Sequence, residues 1–94
     1  MFNRAVHPGD VLKDELEELN LSVSELARQI GVPANRLSQI IRSRRAVTGD
    51  TALRLGHWFG MNPQFWMNLQ AGYDLAQARA AVGTMVDQLP TRAA

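Results

Sequence analysis

The sequence predicts an all-α fold of five helices in a single domain spanning residues 1–94. Three observations predict it. Apolar residues recur at intervals of three and four, the spacing that lines one face of a helix. Capping residues, prolines and glycines punctuate those runs at helix-length intervals. No stretch alternates polar and apolar side chains for long enough to make a sheet.

The first helix is expected from about Pro8 to Leu19. Pro8 suits a first turn, where its missing N–H is not needed. Asp10 lies near the positive end of the helix dipole. Leu12, Leu16 and Leu19 form the apolar stripe. The second helix starts at Ser22, with Glu25 three residues on in a capping-box pattern. Leu26, Ala27 and Ile30 are its inward face, and Gly31 ends it in the left-handed conformation that glycine accommodates. The third follows from about Pro33 to Arg42, with Leu37, Ile40 and Ile41 inward. The fourth is capped by Thr48, runs to Phe59 with Ala52, Leu55 and Phe59 on one face, and stops at Gly60. The fifth opens with Asn62 as cap and Pro63 in the first turn. It carries Phe65, Trp66, Leu69 and Tyr73 and is expected to reach about Val82, with Gly83 ending it. The ordered core is thus about residues 7–82, followed by a frayed tail.

Composition narrows the function. A chain of 94 residues, 46% of them apolar, builds one modest core and leaves little room for a deep catalytic cleft. There is no cysteine, so disulfides and thiolate metal sites are excluded. The two histidines, His7 and His57, stand in no metal-binding pattern. His7 precedes Pro8 and is expected to shape the start of the first helix, and His57 to lie on a surface. No serine sits in a nucleophile context. The expectation is a binding protein with no catalytic residue, metal or cofactor. No apolar run has the length of a membrane span and no signal-peptide pattern opens the chain, so a cytoplasmic location is expected.

Net charge is only +1, but its distribution is uneven. Asp10, Asp14, Glu15, Glu17, Glu18 and Glu25 stand against Lys13 alone. Arg28, Arg36, Arg42, Arg44, Arg45 and Arg54 stand against Asp50 alone. One acidic and one basic face are expected.

The basic segment contains the informative pattern. Ala27 is small where the second helix must be crossed closely by the third. Gly31 supplies a sharp turn. Leu26, Ile30, Val32, Leu37 and Ile40 are apolar at the spacings that bury both helices against a third element. That is the pattern of a helix-turn-helix. Burying this set turns Ala34, Asn35, Arg36, Ser38, Gln39 and Arg42 outward. Asn and Gln each pair bidentately with adenine in the major groove, and a small Ala meets a thymine methyl. The base-reading candidates are therefore Ala34, Asn35, Arg36, Ser38 and Gln39. The phosphate candidates are Ser22, Ser24 and Thr48 at helix N-termini, with Arg42, Arg44 and Arg45 at and after the end of the third helix. The expected ligand is double-stranded DNA.

One such unit reads only a few base pairs, so a homodimer on two half-sites about 34 Å apart is expected. Trp58, Phe59, Met61, Phe65, Trp66 and Met67 crowd into ten residues. Phe59 and Trp66 are expected in the core, and some of the others at an interface with a second copy or another protein.

The stretch from His7 to Leu75, about three-quarters of the chain, resembles the HigA-type antitoxins of the lambda-repressor-like (XRE) helix-turn-helix class. The resemblance rests on His7 to Leu12, Leu26 to Arg28, Gly31 to Leu37, Arg44 to Thr48, Asp50 to Leu55, Phe59 to Gln70 and Tyr73 to Leu75. The Phe59–Gln70 run is the most specific of these. The resemblance implies a five-helix lambda-repressor-like domain with two roles: neutralising a HigB-type, mRNA-cleaving toxin, and repressing its own operon as an operator-bound dimer. The acidic first helix is then a candidate toxin surface, testable by charge reversal at Glu17 and Glu18. A stand-alone repressor without a toxin is the alternative reading.

Overall fold

The computed structural model describes residues 6–92. It contains α1 (Pro8–Leu19), α2 (Val23–Ile30), α3 (Ala34–Ile41), α4 (Gly49–Phe59) and α5 (Gln64–Asp87), and no strand among the described residues. α1 packs on α3 and α5, α2 on α3 and α4, and α4 on α5. The core between them holds Leu12, Leu16, Leu26, Ala27, Ile30, Val32, Leu37, Ile40, Val47, Ala52, Leu55 and Trp66. Each expected buried residue of the helix-turn-helix is in this set. Leu19 is not: it is 50% exposed, because the chain turns away at Asn20, which adopts the left-handed conformation.

His7 is the N-cap of α1. Its Nδ1 accepts from Gly9 N–H at 2.8 Å, and the Asp10 carboxylate accepts from His7 N–H at 3.3 Å. Two of the amides left unpaired at a helix start are satisfied this way. The imidazole is buried edge-on against Tyr73 of α5, with ring centroids 4.7 Å apart. Burial holds its pKa below the ordinary value, although Asp10 and Asp74 oppose the shift. Next to it Gly9 lies against the end of α3. A Cβ there would sit 1.9 Å from the Ile40 carbonyl oxygen, so only glycine permits this approach.

Ser22 caps α2 by accepting from Glu25 N–H at 3.1 Å. The second half of the expected box does not form. The Glu25 carboxylate instead binds Arg28 and Gln29, and these hold its pKa down to about 2. Thr48 is the N-cap of α4 by position, but its side chain makes no capping bond. The N-cap position of α5 falls on Pro63 rather than Asn62, whose Oδ1, one residue earlier, still accepts from Gln64 N–H at 2.9 Å.

α5 departs from expectation in length. It passes through Gly83 and ends at Asp87, spanning 24 residues. A single glycine inside a helix costs only about 1 kcal/mol. Gly83 keeps a negative φ, and the alanines before it and Met85 after it favour the helix. The molecule is therefore elongated, 52 Å in its longest dimension.

Candidate nucleic-acid interface

The turn between α2 and α3 is made by Gly31, whose φ of +73° carries the chain through a left-handed step. Val32 N–H donates back to Ala27 O at 3.0 Å. Arg54 of α4 locks the turn from outside. Its Nη1 donates to the carbonyls of Ile30 at 2.8 Å and Gly31 at 3.3 Å, the acceptors a helix C-terminus leaves free. Its Nε donates to Asp50 at 3.0 Å.

α3 then presents its outer face. Leu37 and Ile40 are buried, which leaves Ala34, Asn35 and Gln39 exposed and Ser38 half-buried between them. Arg36 differs from the other base-reading candidates. Its Nη1 lies 2.6 Å from Asp50 Oδ2, and its side chain is half-buried. Asp50 thus holds both Arg36 and Arg54, and these two arginines keep its pKa low. Arg36 ties α3 to α4 rather than projecting from the exposed row.

The pairing redraws the basic face. Arg28 is matched by Glu25, and Arg36 and Arg54 by Asp50. Arg42, Arg44 and Arg45 are exposed and form no ion pair among the described residues. They sit in the segment leaving α3, which Ser43 turns with a φ of +59°. Arg44 N–H donates to Gln39 O at 2.8 Å, fixing the segment to the last turn of the helix. Arg45 Nη1 donates to Gln39 Oε1 at 3.2 Å. The phosphate candidate Arg45 and the base-reading candidate Gln39 therefore touch in the free protein. Ser22, Ser24 and Thr48 are all exposed at the first turns of α2 and α4, and the Thr48 hydroxyl is not used in capping.

Sequence reasoning missed one residue that shapes this surface. Gln70 of α5 is buried, its Oε1 accepting from Val47 N–H at 2.8 Å and its Nε2 donating to Asp74 at 2.9 Å. It anchors the far end of the arginine segment to α5. A lone Gln on a long helix carries no local signal of such a contact, which spans 23 residues of chain.

Chemically the site is a row of small and amide side chains flanked by guanidinium groups and helix N-termini. It can hydrogen-bond base edges and neutralise phosphates, and no acid–base pair is present in it. Among the described residues no cluster of His, Asp or Glu could hold a metal ion. Among the same residues no helix is long and apolar enough to cross a membrane.

Known proteins place this geometry in a family. The helix-turn-helix family model (HTH_3) matches residues 12–66. Virulence-associated protein I of Dichelobacter nodosus is 44% identical over 75 residues, covering 79% of this chain and 69% of that protein. An addiction module antidote protein of the HigA family from Coxiella burnetii superposes with a TM-score of 0.92 at 40% identity, over 96% of this chain and 99% of the other. The antitoxin HigA of Pseudomonas aeruginosa, solved with the higBA promoter, gives 0.90 at 41% identity, over 96% and 100%. This chain belongs to the helix-turn-helix family, within the group formed by the HigA-type antitoxins.

Proposed function

We propose that this protein binds its own operator as a homodimer, represses the operon, and neutralises a HigB-type mRNA-cleaving toxin encoded beside it. The observation that carries the DNA half is the outward face of α3. Ala34, Asn35, Ser38 and Gln39 form one row, and Arg42, Arg44 and Arg45 beside it have no carboxylate partner among the described residues. Unpaired arginines next to a helix of amide and small side chains serve phosphate binding and base reading together. The toxin half rests on likeness to the HigA proteins, which are antitoxins.

The dimer is supported by the far half of α5. Leu75, Val82, Met85 and Val86 are exposed there, and with Ala78 they repeat at spacings of three, four and seven. A seven-residue apolar repeat suits pairing with a second helix of the same kind. We assign this stripe to the second copy. Single-domain reading and cytoplasmic location belong to the same proposal.

The test is footprinting of the protein on the DNA upstream of its gene, with and without Gln39→Ala. Two protected half-sites about 34 Å apart are expected, with protection lost from part of each half-site in the variant. A protein that protects no upstream site is not a repressor of its own gene. Co-purification with the small neighbouring gene product tests the toxin half separately.

A further inference from the structure

The Phe59–Gln70 run includes aromatic side chains that the DNA face does not use. The turn from α4 to α5 folds over α1 and leaves a cavity of about 180 Å³ lined by Val11, Glu15, Phe59, Met61, Phe65 and Trp66. Phe65 meets Trp66 edge-on at 5.3 Å between ring centroids, and Phe59 lies 5.8 Å from Trp66. Trp66 is 1% exposed, and its indole N–H has no acceptor among the described residues. A buried donor without an acceptor is costly, and proteins rarely keep one. Glu15 contributes a carboxylate to the same wall, and no ion pair is formed by it or by Asp14 and Glu18 beside it among the described residues.

We propose that this cavity is an anchor site for one basic side chain of a protein partner. Cavities that hold small-molecule ligands measure roughly 300–1,000 Å³, so the size favours a single side chain over a metabolite. The lining specifies which side chain. A lysine or arginine stem packs against apolar walls while its charge meets Glu15 and the aromatic faces. The Trp66 indole lines the same cavity and so reports on its occupancy. An enzyme that cleaves RNA must itself present a cationic surface to a polyanion, which matches the acidic rim. The inference therefore rests on the antitoxin reading above and locates the toxin's contact on α1 and the α4–α5 turn, away from α3.

The experiment measures affinity for the toxin encoded beside the gene, using the full chain, with operator binding as the control for folding. Glu15→Lys changes an exposed position and leaves the core alone. Val11→Phe fills the cavity. Each should weaken toxin binding tenfold or more while operator affinity stays within twofold of wild type. The Trp66 indole N–H resonance should move when toxin is added to the wild-type chain. Toxin affinity unchanged in both variants, with an unmoved resonance, overturns the anchor site and leaves the antitoxin reading intact. A wild-type chain that does not bind the toxin overturns both. Weakened self-association with unchanged toxin affinity reassigns the cavity to a second copy and also overturns the proposal.

Discussion

At the residue scale the arginines divide by what they touch. Arg36 and Arg54 converge on Asp50, and Arg28 is matched by Glu25. Arg42, Arg44 and Arg45, beside α3, form no ion pair among the described residues and are the proposed phosphate contacts. Arg44→Ala should weaken binding to all DNA sequences alike and reduce the salt slope by about one counterion. Arg45→Ala should behave differently, because Arg45 holds the Gln39 side chain. It should lower discrimination against a mismatched half-site as well as affinity, as read by competition between operator and random DNA. His7 gives a third prediction. Its folded-state pKa lies below the unfolded value, so the unfolded chain binds the proton more readily. Stability is complete above pH 6.5 and declines as pH falls from there toward the folded pKa. Urea melts at pH 7.5 and 5.5 should show this loss, and His7→Asn, which can still cap, should remove most of it.

At the element scale the reading from sequence succeeded where local signals are strong. α1 to α4 were legible because Pro8, Ser22, Gly31 and Gly60 mark ends that local chemistry decides. The outer face of α3 was legible because Leu37 and Ile40 fix which side is inward. Contacts made across the fold were not legible. Nothing near Arg36 indicates that Asp50, 14 residues on, will take its guanidinium. His7 was expected to shape the start of α1, and it does; its edge-on packing against Tyr73 of α5 is the part that needed the geometry. The end of α5 was misjudged because its far half stays exposed among the described residues, and Gly83 then looked like a stop. Two contacts between elements can be tested. Gly9→Ala would drive a Cβ into the Ile40 carbonyl, separating α1 from α3, and should cost about 3 kcal/mol in a denaturant melt. Gln70→Ala leaves the buried Val47 N–H unpaired, at a cost of about 1–3 kcal/mol.

At the scale of the whole molecule, one end of the 52 Å body differs from the other. The packed helices carry the proposed DNA face on α3 and the acidic α1, while the far half of α5 exposes Leu75, Val82, Met85 and Val86. Dimerisation through that stripe would set the distance between two α3 helices. Val82→Glu should shift the protein to monomer in sedimentation. It should weaken binding to a two-half-site operator far more than binding to a single half-site.

The Val47–Gln70 bond also has a kinetic meaning. The Val47 amide can exchange its hydrogen with solvent only when the arginine segment lifts from α5. Its exchange rate therefore clocks that opening separately from global unfolding. If the operator clamps the segment as proposed, this one amide should slow more than the amides of α1, giving a direct readout of when the arginine segment is docked.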